Sequence, residues 1–208
     1  MSEVITTKFI KRDYIYIGAA LCLGLLLGIT SKYLDTIGDN KTTITTVLCY
    51  LGDMFTDMGI WIFLASIITL KSRQWYIASI SVFLFFVGMI TTYYIYSMGL
   101  FGFFPKSYFL MWGSITLVSP ILAYILWGFN NPHQYSYLLL SLPAAYIMSY
   151  GLNIEFINIY IFNYSNVLLA TILIIGFLYK SPKKLAITLI LSILLSLLIK
   201  YIDPIQFL

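Results

Sequence analysis

Apolar runs long enough to cross a membrane follow one another along almost the whole 208-residue chain. A helix needs about 20 apolar residues to span the hydrocarbon core of a bilayer, because each residue adds about 1.5 Å of length. Charged residues make up only 10% of the chain, whereas a soluble domain usually carries about 25%. The chain therefore lacks the polar residues needed to cover a core in water, and the sequence predicts an all-helical integral membrane protein.

Polar loops and turns rich in glycine and proline divide the apolar runs into seven predicted transmembrane helices, with six as the alternative. These helices cover residues 14–32, 44–70, 75–98, 108–129, 135–152, 157–179 and 185–202. No stretch remains for a soluble domain. Residues 1–208 are therefore predicted to form one helical domain surrounded by the lipid bilayer.

The distribution of lysine and arginine predicts the orientation, because short cytoplasmic loops carry an excess of both. With a cytoplasmic N-terminus, the inner basic residues are Lys8, Lys11, Arg12, Lys71, Arg73, Lys180, Lys183 and Lys184. The outer ones are Lys32, Lys41, Lys106 and Lys200. The larger inner group favours a multi-pass protein with its N-terminus in the cytoplasm.

Two aspartates, Asp53 and Asp57, lie inside the second predicted helix. If the helix began after Asp57, residues 58–70 would reach only about 20 Å, which is too short for a core about 30 Å thick. A carboxylate in hydrocarbon costs at least about 2.5–3.5 kcal/mol and usually faces a bundle interior or a wet cavity. A spacing of four places both carboxylates on one helix face. If the chain enters the apolar core from outside at Val47, Asp53 lies about 9 Å deep and Asp57 about 15 Å deep.

The aspartate pair has a structural and a functional interpretation. In the structural one, neighbouring hydroxyls such as that of Thr56 hold the carboxylates, and one of them stays protonated. In the functional one, the pair binds a cation, a proton or a positively charged solute. No lysine or arginine is predicted at the same depth, which favours the functional interpretation.

Further polar and aromatic residues are predicted on the outer side of the same bundle, where they would join the aspartates in a pocket. They are Tyr93, Tyr94, Tyr146 and Glu155. Aromatic rings beside carboxylates suit organic cations, because the face of a ring attracts positive charge. The predicted pocket is therefore acidic, aromatic and open to the outside.

Small residues recur at every fourth position of the first helix, at Ala20, Gly24 and Gly28. Such a stripe lets two helices approach closely, either within the bundle or between two membrane proteins. The stripe resembles those on the first helix of the substrate-binding subunits of energy-coupling-factor vitamin transporters. This resemblance implies a bacterial membrane protein of similar size that docks onto a partner through its first helix.

The central part of the chain carries a second resemblance, over roughly residues 50–130. Its segments are 59–65 (GIWIFLA), 81–89 (SVFLFFVGM), 92–94 (TYY), 102–108 (GFFPKSY) and 119–123 (SPILA). Together they resemble a group of small, uncharacterised multi-spanning proteins of low-GC Gram-positive bacteria. The resemblance implies a bacterial plasma membrane and no particular activity.

The segment 102–108 also contains a predicted helix start, with Lys106 in the first turn. The free amides of a helix N-terminus and a lysine together suit an anionic headgroup or ligand. The alternative is an anchor that holds the helix at the membrane interface.

No catalytic or metal-binding pattern is recognisable, and no cofactor is indicated. The single histidine, His133, falls in a predicted inner turn far from the aspartates, so it supports neither a metal site nor a catalytic triad. The basic residues are too scattered to bind nucleic acid. The sequence predicts a non-enzymatic protein that binds or transports a small solute, including a cationic one. The alternative is a non-catalytic membrane partner or immunity subunit that acts through helix–helix contacts.

Overall fold

A computed structural model describes residues 9–38, 42–102, 106–131, 133–155 and 158–202. Within them the chain forms eight α-helices and a two-stranded antiparallel hairpin. The helices are α1 (Lys11–Leu34), α2 (Thr43–Thr56), α3 (Met58–Lys71), α4 (Trp75–Phe101), α5 (Lys106–Trp127), α6 (Ser141–Gly151), α7 (Tyr164–Leu178) and α8 (Pro182–Ile202). The strands are β1 (Leu152–Glu155) and β2 (Asn158–Ile161), and short 3-10 helices cover Gly128–Asn130 and Ser136–Leu140.

Within the part of the chain that the structure describes, four stretches of helix are long and apolar enough to cross a membrane. They are α1, α4 up to Leu100, α5 with its 3-10 extension to Asn130, and α8. The pair α2 and α3 makes a fifth if it counts as one span, although its two halves are bent by 68°. The prediction of an all-helical chain with several long apolar helices is confirmed, whereas the prediction of seven spans is not.

The predicted fifth and sixth spans differ most from the structure. The fifth contains the 3-10 helix Ser136–Leu140 and the 11-residue α6. The sixth was predicted as a helix from residue 157, but residues 158–161 form β2 and only the 15-residue α7 is helical. Polar residues between Gly151 and Asn163 interrupt the apolar run, and the alternating Ile-Tyr-Ile of β2 suits a strand. The backbone amides of Phe162 and Asn163 both donate to the Gly151 carbonyl, which closes the hairpin against the end of α6.

Two groups of helices pack on either side of α3. In the first group α4 lies between α1 and α5, and in the second α6 contacts both α7 and α8. Helix α3 touches α4 and α5 on one side and α6 and α7 on the other. Its Trp61 belongs to the apolar cluster around Phe85, while its Leu70 belongs to the cluster around Ile147. Helix α3 is therefore the common wall of both cores.

The small-residue stripe on α1 faces α4 of the same chain. Ala20, Gly24 and Gly28 are all buried. A methyl group on Gly24 would overlap the carbonyl oxygen of Phe85, and one on Gly28 would overlap the Thr92 hydroxyl. The Thr92 hydroxyl donates to the Leu25 carbonyl across this contact at 2.9 Å. The absence of side chains on the two glycines thus sets how closely α1 and α4 approach.

One end of the molecule is closed by charged and polar contacts, and we call it the basic end. Here Arg73 Nη2, between α3 and α4, lies 3.0 Å from Asp13 Oδ2 at the start of α1. Asp13 also accepts a hydrogen bond from the Ile10 amide at 3.0 Å, which caps α1. The Asn130 side-chain amide donates to the Leu70 carbonyl at 3.3 Å and joins the end of α5 to the end of α3.

We expect Gly24→Ala to lower the free energy of unfolding by about 2 kcal/mol, because overpacking a tight contact typically costs about 1–3 kcal/mol. Gly18→Ala, also on α1, is the matched control because nothing lies within 4 Å of the added methyl group. That variant should be neutral or more stable by up to about 1 kcal/mol, since alanine favours helix over glycine. Unfolding of both proteins in detergent measures the difference, and equal stabilities would contradict the α1–α4 packing.

Candidate functional site

The helix that carries the predicted aspartates is broken at Asp57. Helix α2 ends at Thr56 and α3 begins at Met58, so Asp57 stands between them with φ −70° and ψ 142°, an extended conformation. Its amide still donates to the Asp53 carbonyl at 3.2 Å, which completes the last turn of α2. Non-helical backbone in an apolar setting is tolerated where it is buried in protein or lines a water-filled cavity.

Two side-chain amides from α7 and its N-terminal cap hold the Asp57 carboxylate. Asp57 Oδ2 accepts from Asn163 Nδ2 at 2.8 Å and from Asn166 Nδ2 at 2.9 Å. Asn163 also caps α7, because its Oδ1 accepts from the Ser165 amide at 3.1 Å. The positive end of the α3 dipole lies beside the carboxylate and favours its negative charge. The break is thus fixed by hydrogen bonds to a neutral partner helix.

Close packing of α3 against α7 makes this arrangement possible. Gly59 lies in the first turn of α3, and a methyl group there would overlap Oδ1 of Asn166. Asn166 is only 1% exposed. A side chain at position 59 would therefore push Asn166 away from Asp57.

A cavity of about 470 Å³ opens beside Asp57. Its lining comes from the C-terminal ends of α1, α2, α4, α6 and α8 and the N-terminal ends of α3, α5 and α7, so it lies at the end of the molecule opposite the basic end. The polar residues that line it are Ser31, Asp35, Thr56, Asp57, Asn163 and Lys200. The aromatic ones are Phe55, Trp61, Tyr93, Tyr94, Tyr108, Trp112, Tyr150 and Phe162. Small-molecule sites usually occupy about 300–1,000 Å³ and have mainly apolar walls with a few polar groups.

Contacts among the rings hold the aromatic wall in place. Trp61 is 2% exposed, and its indole N–H donates to the Phe55 carbonyl at 2.8 Å. That bond satisfies one of the free carbonyls at the end of α2. The rings of Trp61 and Trp112 meet edge to face at 6.2 Å, and those of Tyr93 and Tyr94 at 5.3 Å. The aromatic wall is therefore tied to the same break in the helix as Asp57.

A second carboxylate, Asp35, lies at the edge of the cavity, where it forms what we call the rim cluster with Lys32 and Tyr93. The Tyr93 hydroxyl donates to Asp35 Oδ2 at 3.0 Å, and Lys32 Nζ lies 3.4 Å from the same oxygen. The Lys32 ammonium is also 5.0 Å from the centre of the Tyr93 ring. The Thr56 hydroxyl oxygen, next to the break, lies 3.5 Å from Asp35 Oδ1. The rim cluster thus joins the end of α1 to α4 and to the end of α2.

The structure brings together three of the predicted pocket residues, Asp57, Tyr93 and Tyr94. Asp53 is exposed on α2 and does not line the cavity. The predicted shared face of the two aspartates is lost because the helix ends between them. The cavity instead pairs Asp57 with Asp35, which the sequence places in a polar loop.

The remaining predicted site residues lie elsewhere. Tyr146 is 37% exposed, and its hydroxyl lies 3.3 Å from that of Tyr150, which lines the cavity. Glu155 is the last residue of β1, and its side chain lies outside the described part of the structure. Lys106 is the exposed first residue of α5; the preceding residues 103–105 lie outside the described residues.

Sequence reasoning missed Asn163, Asn166 and Lys200. The two asparagines lie in or beside an apolar run, which is the signal that singled out the aspartates. Lys200, which the sequence places near the outer surface, lies near the end of α8 and lines the same cavity as Asp57.

Among the residues that the structure describes, no group of three or more histidine, cysteine, aspartate and glutamate side chains is placed to hold a metal ion. The cavity offers carboxylate, amide, hydroxyl and ammonium groups together with aromatic faces. This combination can bind a small charged molecule by hydrogen bonds and ring contacts.

Comparison of the chain with protein-family models, with curated proteins and with solved structures finds no match. The two resemblances seen in the sequence therefore stay predictions. The site has to be interpreted from its own geometry.

The hydrogen bond between Asn166 and Asp57 should appear as a coupling in a double-mutant cycle. We expect Asn166→Ala to lower the free energy of unfolding by about 2 kcal/mol, because hydrogen bonds to charged groups contribute about 1.5–3 kcal/mol. In an Asp57→Ala background the same change should cost much less. Asp53→Ala is the matched control background, where the full cost should remain. Additive effects of Asn166→Ala and Asp57→Ala, to within about 0.5 kcal/mol, would show that the two residues are independent.

Proposed function

We propose that this chain is a multi-pass protein of the bacterial plasma membrane that binds or transports a small cationic solute through the cavity at Asp57. The observation that carries the proposal is a carboxylate placed at a break between two half-helices and facing an aromatic-walled cavity. Intramembrane carboxylates mark solute and ion pathways by default. In many transporters, interrupted helices of this kind form the substrate site.

The hydrogen bonding of Asp57 supports ligand binding. Within the described residues, both hydrogen bonds to its carboxylate end on Oδ2, so Oδ1 keeps lone pairs for a ligand. Both donors are neutral amides, which orient the carboxylate without cancelling its charge. The charge of Asp57 is thus available to a cation that enters the cavity.

The walls support a cationic ligand in particular. Tyr93, Tyr94, Trp61 and Trp112 line the same cavity as the Asp57 carboxylate, and the faces of such rings attract organic cations. The volume of about 470 Å³ suits a small solute rather than a protein segment.

For the topology we propose that the cavity opens to the outside and the basic end faces the cytoplasm. The turn between α7 and α8 lies at the basic end, since the Lys184 ammonium is 5.3 Å from the ring of Tyr137, close to the end of α5. Helices α6 and α7 run antiparallel between the two ends, with the hairpin on the cavity side. Seven passages of the chain, two of them through short helices, keep the predicted excess of basic residues inside.

The alternative function, a partner or immunity subunit, has less support. The stripe Ala20, Gly24 and Gly28 that would dock a partner is occupied by α4 of the same chain. A partner would have to bind another face of α1.

We expect Asp57→Asn to weaken the binding of n-butylammonium to the purified protein at least tenfold, because a charge-assisted hydrogen bond worth about 1.5–3 kcal/mol is lost. Trp61 and Trp112 line the cavity, so a titration followed by tryptophan fluorescence reports occupancy. Asp53→Asn removes the same charge from α2 outside the cavity and is the matched control, with less than about twofold change.

If Asp57→Asn and Asp53→Asn weakened the binding of n-butylammonium equally, the effect would come from the net charge of the protein and not from a contact with Asp57. Unchanged binding in Asp57→Asn would remove the proposed site altogether. A wild-type protein that binds no small cation in proteoliposomes or in detergent would overturn the function itself.

The proposed orientation predicts the side from which single cysteines react. After replacement of Cys22 and Cys49 by alanine, Lys183→Cys should react with a membrane-impermeant maleimide only when the inner face is accessible. Thr42→Cys, in the loop before α2, should react from outside on intact cells. Reaction of both positions from the same side would exclude an odd number of passages between them.

A further inference from the structure

We propose that the rim cluster is a recognition site for a primary ammonium group, and that Lys32 occupies it when no solute is bound. This inference rests on the solute-binding function and names the chemical class of the solute. The structure already holds one ammonium group in the cluster, that of Lys32, and its surroundings are those that an amine ligand requires.

Among the described residues, Asp35 and Tyr93 surround the Lys32 ammonium. Its Nζ lies 3.4 Å from Asp35 Oδ2, 3.5 Å from the Tyr93 hydroxyl oxygen and 5.0 Å from the centre of the Tyr93 ring. The Tyr93 hydroxyl donates to Asp35 at 3.0 Å, which fixes the carboxylate beside the ring. The side chains of Lys32 and Asp35 are 12% and 21% exposed. The site therefore combines a carboxylate, a hydroxyl and a ring face at the partly exposed edge of the cavity.

The rim cluster is continuous with the floor of the cavity. Asp35 and Tyr93 both line the cavity that contains Asp57. Asp35 Oδ1 also lies 3.5 Å from the hydroxyl oxygen of Thr56, the residue before Asp57. A solute that enters from the open end therefore meets the Asp35 carboxylate on its way to Asp57. It can take the place of Lys32 there, because the long lysine side chain can move out into water.

The contacts favour a primary ammonium over a quaternary one. A primary ammonium has three N–H donors, which match the Asp35 carboxylate and the Tyr93 hydroxyl oxygen. A quaternary ammonium has no donor and can use only the ring faces. Because Lys32 makes the same contacts from its tether, it competes mainly with primary amines. An exposed ion pair of this kind contributes at most about 1 kcal/mol, so the competition weakens their binding by up to about fivefold.

The test compares n-butylammonium with tetramethylammonium by the fluorescence titration of the purified full-length chain. We expect Lys32→Met to tighten the binding of n-butylammonium about fivefold and to change that of tetramethylammonium less than about twofold. Asp35→Asn added to Lys32→Met should reverse the gain. Lys32→Gln, which keeps a polar side chain, repeats the test should Lys32→Met fold poorly. Lys200→Met is the charge control, since Lys200 also lines the cavity, and it should strengthen both cations equally.

The outcomes separate this inference from the general function. If Asp57→Asn abolishes binding but Lys32→Met and Lys32→Gln give no preferential gain for n-butylammonium, the rim site is refuted and the solute-binding function stands. A gain equal for both cations, as in Lys200→Met, likewise refutes it, because general electrostatics then explains the effect. Failure of the wild-type protein to bind either cation refutes both.

Discussion

The break at Asp57 is the constraint on which the rest of the structure depends. A helix that stops inside an apolar protein leaves carbonyls and amides that need partners, since each unsatisfied group costs about 1–3 kcal/mol. Here Trp61 donates to the Phe55 carbonyl, and the Asp57 amide donates to the Asp53 carbonyl. The Asp57 carboxylate itself accepts hydrogen bonds from the side-chain amides of Asn163 and Asn166, at the start of α7. The polar requirements of one interrupted helix thus decide where the aromatic wall and α7 must lie.

From this point the architecture follows through α3. The bend turns α3 into the space between the two helix groups, where it is part of both apolar cores. In the first group, Gly24 and Gly28 let α1 approach α4 closely. In the second, α7 packs closely against α3 where Asn166 meets Gly59. At the basic end these helices converge through Asp13 and Arg73. At the other end α2 and α3 are bent by 68°, and the cavity lies beside this break.

Hydrophobicity alone predicted the positions of α1, α4, α5 and α8, because twenty apolar residues in sequence leave few choices. It could not show that residues 44–70 contain two helices, since the apolar pattern runs on through Asp57 and the bend depends on partners in α7 more than 100 positions away. Helices α6 and α7 lie inside the predicted spans 135–152 and 157–179 but are shorter, because the apolar pattern also covers residues that form a 3-10 helix and β2. The carboxylate at position 57 could be identified from the sequence, because a helix that began after it would be too short to cross a membrane. Its companion Asp35 could not, because a polar loop residue gives no signal until the fold places it beside Tyr93.

The negative charges of the two cavity carboxylates are balanced in different ways, so the rim and the floor of the cavity differ in how strongly they attract a cation. At the rim, Asp35 is matched by the ammonium of Lys32, so little net charge faces the entrance. At the floor, the hydrogen bonds to Asp57 come from neutral amides, which hold the carboxylate without cancelling its charge. Coulomb attraction grows as the surroundings become less polar, so a cation gains more from Asp57 than from Asp35. In the proposed function, a solute that displaced Lys32 would exchange one ion pair for another at the rim and would gain its main stabilisation from Asp57, at the break in the helix.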